Sequence, residues 1–255
     1  MEYRLVGAIT RFRSGVYRLD LFPYSSINGL EFLEQHSQPF VVVTAFSYFL
    51  WDEPTRAHHI ADLARRNRIP FQTHPKHEVL AIAGEDLRAL VAGTFFWNII
   101  CWDAARAPLP SKLAEQAALV ARGGLWRPRT AALQLLDGAQ LYLWSHDDAY
   151  FQFEARRPGA VRQVYADALA NAVAKAAEGT SGQSPKIEPA PDALIDHLWQ
   201  TVPSFELRIT PRSGKPGRVR VRFGECQSPA AAADFQLIGS VEYDLPTGRW
   251  VHRYH

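Results

Sequence analysis

The sequence predicts an α/β or α+β protein, with a mixed sheet containing a βαβ unit followed by a smaller β-rich C-terminal segment. Three observations lead there. Phe40–Phe46 is a continuously apolar run rich in β-branched residues, the pattern of a strand covered on both faces. A helix-period segment follows it, with Ala57, Ile60, Ala61 and Ala64 on one face. A second apolar run, Val79–Ala83, comes next, so strand, helix and strand form a unit whose crossover should be right-handed.

Taken in order, residues 2–24 alternate loosely and read as two strands joined near Ser14-Gly15. Gly29–Gln35 can form a short helix. After the strand at 40–46, Asp52 is an N-cap and Pro54 lies in the first turn of the amphipathic helix, which should stop before Pro70. Glu85–Val91 is a short helix and Thr94–Trp102 a third strand. Ser111–Arg122 is a helix closed by Gly123-Gly124. Thr130–Leu136 and Gln140–Trp144 read as strands around an Asp137-Gly138 turn, and Tyr150–Phe153 as another. Ala160–Glu178 is a long helix with Val161, Val164, Ala168, Ala172 and Val173 towards the core. Residues 1–178 therefore form the main domain. Residues 179–191, with three prolines, two glycines and no apolar period, read as a linker. Residues 192–255 hold one helix and strands near 204–210, 217–223, 236–244 and 249–254, as a small domain or an appendage to the main sheet.

Composition narrows the functional classes. Apolar types make up 47% and charged types 21%, which excludes a disordered chain and a coiled coil. The net charge of +2 gives no global attraction to nucleic acid or anionic lipid, so either would need a local patch. The longest apolar stretch, Phe40–Trp51, is too short for a membrane helix, no signal peptide is recognised, and two cysteines do not make a disulfide framework. A cytoplasmic, soluble chain with no membrane partner is the expectation. Cys101, in an apolar run, reads as a buried inert thiol.

Four histidines fall between residues 58 and 77. His58 and Asp62 are an i, i+4 pair that could share a metal with the loop residue His74, and His77 precedes Glu78 at the mouth of the second strand. Ser145-His146-Asp147-Asp148 joins two strands, and His146, Asp147 and Asp148 together carry the residue types of an acid–base site as well as those of an ordinary turn. Around His77, the segment His-x-x-Leu-Ala-Ile-Ala-Gly resembles the active-site strand of the phospholipase D superfamily. That resemblance implies a histidine nucleophile, a lysine two residues on and an aspartate about five further. From His77 those positions hold Val79 and Gly84, and from His74 they hold Lys76 and Ala81, so the resemblance implies a degenerate copy. The tail adds Arg218, Arg220 and Arg222 on one face of a strand, with Val219, Val221 and Phe223 on the other, a row able to follow phosphates. Its eight basic and seven acidic residues offset the patch. Trp51, Trp97, Trp102, Trp126 and Trp144 sit at the ends of apolar runs and read as core rim.

No nucleophile elbow, C-x-x-C, G-x-G-x-x-G or Walker A loop is present. The leading expectation is a non-catalytic recognition protein that binds another macromolecule, a protein first and nucleic acid weakly, through an aromatic and basic surface. The alternative is a metal-dependent or phospholipase D-like hydrolase using the 58–78 and 146–148 clusters. No cofactor is identified.

Overall fold

The computed structural model describes residues 2–22, 27, 32, 35–36, 41–45, 62, 64–74, 79–91, 98–103, 111–123, 131–136, 138–145, 150–181, 185–201, 204–211, 217–225 and 235–253. Twelve strands form one sheet: β1 (Tyr3–Arg11), β2 (Tyr17–Phe22), β3 (Val41–Ala45), β4 (Phe71–His74), β5 (Val79–Ala83), β6 (Asn98–Trp102), β7 (Gln140–Ser145), β8 (Phe151–Ala155), β9 (Ser204–Pro211), β10 (Arg218–Glu225), β11 (Gln236–Asp244) and β12 (Arg249–Arg253). Their order across the sheet is β12-β11-β10-β9-β1-β2-β8-β7-β6-β3-β5-β4. Among the described residues, the α-helices whose bounds are defined are α1 (Leu87–Val91), α2 (Ser111–Gly123), α3 (Pro158–Ser181) and α4 (Asp192–Thr201).

Helices and strands are mixed, as expected, but every pairing among the described residues is antiparallel. The expected βαβ unit is therefore corrected. β3 pairs with β5 antiparallel, Val41 opposite Ala83 and Ala45 opposite Val79, so no parallel crossover links them. Continuous apolar runs suggested parallel strands because parallel sheets are covered on both faces. Here an antiparallel sheet is covered on both faces at this half. Ile99 and Cys101 of β6 enter one core, with α3 and α4, while Ile100 and Trp102 enter a second with Ala114, Ala117 and Val120 of α2. β4, which the sequence reading left out, forms the edge.

The strand expected at 130–136 is also corrected. Residues Ala132–Gln134 form a turn of 3₁₀ helix. The buried Glu154 carboxylate accepts the backbone N–H groups of Ala132 at 3.0 Å and Leu133 at 2.7 Å, which leaves neither free for a strand ladder. The β1–β2 hairpin closes near Ser14-Gly15 as expected, with Gly15 at φ +79°.

The expected linker, residues 179–191, is described except at 182–184. Residues 179–181 continue α3, and Ile187 and Ala190 are buried in the larger core. Trp250 Nε1 donates to the Glu188 carbonyl at 3.0 Å. Beyond it β9 pairs with β1, so the C-terminal strands extend the main sheet. Phe205, Leu207, Ile209, Val219, Val221 and Phe223 meet α3 and α4 in the same core as Leu5, Leu19 and Leu21. Tyr165 of α3 stacks on Phe205 with centroids 4.7 Å apart, and Gly7 opens the space for that ring: a Cβ there would lie 2.5 Å from it.

Candidate binding groove

Among the described residues, a cavity of about 300 Å³ opens where the β1–β2 hairpin meets the starts of α3 and the end of α4. Its lining is Ile9, Arg11, Tyr17, Pro158, Arg162 and Trp199. Strand alternation sends Ile9, Arg11 and Tyr17 to the helix side of the sheet, Arg11 directly opposite Tyr17. Pro158 begins α3, where its missing N–H costs no helix bond, and Arg162 lies one turn on. Trp199 comes from the last turn of α4.

The charges and rings alternate around the opening. The Arg11 guanidinium lies 5.6 Å from the Tyr17 ring centroid, and that of Arg162 lies 5.2 Å from Trp199. Tyr17 and Trp199 face one another at 6.1 Å, inclined by 57°. The two guanidinium–ring contacts are of the cation–π kind, worth roughly 0.5–1 kcal/mol each at exposed sites. Asp196 neutralises Arg162 at 2.6 Å. Arg11 is exposed, with the Tyr17 face as its neighbour, so the groove carries a surplus positive charge.

None of the described sequence-selected residues, Asp62, His74, Arg218, Arg220 and Arg222, lines the groove. His58, His77, His146, Asp147 and Asp148 lie outside the described residues. Asp62 forms an ion pair with Arg65, three residues along the same helical segment. His74 ends β4, at the sheet edge. Among the described residues, no group of three or more His, Cys, Asp or Glu could hold a metal ion. Arg218, Arg220 and Arg222 do share one face of β10, opposite the buried Val219, Val221 and Phe223. That face is a mixed ladder of charges. Arg218 reaches Asp244 at 3.1 Å, Arg220 reaches Glu242 at 3.0 Å and Arg222 reaches Glu2 at 2.6 Å. On β9 and β1 the ladder continues as Arg4 and Arg208 on Glu206, at 3.0 and 2.8 Å. Burial opposes the Glu206 charge, yet the two arginines hold its carboxyl below the usual glutamate pKa.

Cys101 is fully buried, and burial pushes its thiol pKa up, as an inert core thiol requires. Trp102 is fully buried and Trp144 nearly so, deeper than a core rim, while Trp51, Trp97 and Trp126 lie outside the described residues. The sequence reading missed Arg11, Tyr17, Arg162 and Trp199 as a set. Each is unremarkable in its own element, and the available signal was compositional: arginines near aromatics at or close to element ends.

Among the described residues, no helix is long and apolar enough to cross a membrane. Comparison with protein-family models, with curated proteins and with solved structures finds no match.

Proposed function

We propose that the protein is a non-catalytic recognition module that receives a side chain of a protein partner in the groove between Arg11, Tyr17, Arg162 and Trp199. One observation supports this reading: two guanidinium-on-ring pairs from four separate elements converge on one open cavity. Trp, Tyr and Arg dominate the energetics of protein interfaces, because they combine large contact area with directional polar groups. A cavity of about 300 Å³ is at the lower end of the range for small-molecule pockets and suits one large side chain, with the rest of the partner outside. The surplus charge of Arg11 favours a segment in which an acidic residue neighbours an aromatic or aliphatic anchor.

Display of a random peptide library on the purified protein tests this. The wild type should enrich peptides with an acidic residue beside a large apolar one. Trp199→Ala should lose the enrichment, and Arg11→Glu should invert the charge preference. Equal enrichment by all three proteins, or none by the wild type, removes the groove as the recognition site.

A further inference from the structure

On the opposite face of β2 lies a chain of polar side chains that the groove does not use: Arg18, Glu154, Gln152, Tyr150 and Asp20. Its geometry fixes where each proton sits. The Glu154 carboxylate is fully buried and receives Arg18 at 2.6 and 2.8 Å together with the N–H groups of Ala132 and Leu133. Four N–H donors converge on its two oxygens, so the carboxylate acts here as an acceptor. Gln152, also fully buried, therefore turns its NH₂ end to Glu154, donating at 2.6 Å. Its carbonyl oxygen consequently faces the Tyr150 hydroxyl, at 3.0 Å. That oxygen needs a donor, since an unsatisfied buried acceptor is costly, and Tyr150 supplies its single proton. The Tyr150 oxygen is then left as an acceptor towards Asp20 Oδ1, with which it is in close contact. Two acceptors cannot share that contact without a proton between them.

We infer that Asp20 is a neutral, proton-donating carboxylic acid in the folded protein and that loss of this proton is a pH-sensitive switch in the sheet. With the proton present, the chain runs Asp20 to Tyr150 to Gln152 to Glu154, each donating to the next. Ionisation makes Asp20 compete with Gln152 for the one hydroxyl proton, and a buried acceptor loses its partner. Among the described residues, the charged and titratable groups facing Asp20 are Arg18 on its own strand, and Tyr150 and Glu154 at and along β8. Of the β1 residues on that face, Val6, Ala8 and Thr10 carry no charge, and Arg4 is paired with Glu206 across the β1–β9 seam.

Burial is the largest influence on the Asp20 carboxyl and pushes its pKa up. The Arg18 charge pulls it down, as would a bond donated by Tyr150, and Glu154 raises it further. A raised folded-state value has a definite sign. The stabilisation is complete below the unfolded-state pKa and is lost as pH rises through the folded-state one.

Aspartate side-chain carboxyl resonances followed by NMR through a pH titration of the intact protein, with denaturant unfolding at each pH, test the assignment. The Asp20 resonance should titrate above the ordinary aspartate range. Asp20→Asn, whose amide donates permanently to Tyr150, should gain stability relative to the wild type as pH rises through that midpoint. Asp20→Ala, which cannot titrate either, should show the same relative gain with pH but from a lower baseline, since it offers Tyr150 no donor. An Asp20 resonance that titrates in or below the ordinary range overturns the inference, and so do parallel stability curves for wild type and Asp20→Asn. The NMR arm stands even where the variants fail to fold.

Discussion

Arg18 shows how much one side chain can carry when its surroundings are closed. It is 4% exposed, lies over the Phe12 ring at 4.6 Å and is a direct ionic partner of Glu154. Arg18→Met leaves the Glu154 charge buried with one side-chain partner fewer, a change that typically costs about 3–5 kcal/mol. Arg65→Ala removes an ion pair whose side chains are 60% and 47% exposed, and should stay within about 0.5 kcal/mol. Urea unfolding of the two variants separates them; similar losses would mean that Glu154 relaxes towards water. Neither the closed pair nor the groove was legible at this scale. Arg18 and Glu154 are 136 residues apart, and nothing in either local sequence marks the other as its partner. The arginines of β10 were legible because they alternate within eight residues, while the acids that hold them come from β11 and the N-terminus.

At the scale of the element, β10 and β11 act as a unit. Glu242 is 2% exposed and lies between Arg218 and Arg220, so the arginine row serves as the cover of a buried carboxylate. Replacing Arg218, Arg220 and Arg222 together by Gln should lower stability by about 1–3 kcal/mol, discounted from the fully buried case because the guanidinium groups are partly open to solvent. The same pairing predicts a weak salt dependence for any single-stranded nucleic acid the wild type binds. Its log–log slope should be shallower than the roughly −2 of three unpaired phosphate contacts. Filter-binding over a salt series measures it, and a slope of −2 or steeper would mean that phosphates displace the carboxylates. Strand and helix positions were largely legible because side-chain period reports the element type. Pairing direction was not, since a run covered on both faces looks the same in parallel and antiparallel sheets. The turn at 132–134 was hidden because its cause, Glu154, lies in another strand.

Across the whole molecule, the larger core draws residues from both ends of the chain, and β1 sits between its hairpin partner β2 and the late strand β9. A fragment ending at residue 181 would leave the β9 side of β1 unpaired and strip Phe205 from Tyr165 and Gly7. It should be aggregation-prone or molten alone, with weak near-ultraviolet circular dichroism, and should recover native signal when co-expressed with residues 182–255. A fragment 1–181 that unfolds cooperatively by itself would show that the C-terminal strands are dispensable to the main core. The covering of Ile187 and the seam between β1 and β9 depend on contacts that no local pattern encodes.

That seam also sets a clock. Arg4 and Glu206, joined across it, are 202 residues apart in the chain. At synthesis rates of about 5–20 residues per second, β1 waits roughly 10–40 s on the ribosome before its partner exists. For that interval one edge of the first hairpin is open to any passing strand. The cell must therefore either shield the nascent chain or tolerate a dependence of yield on translation speed.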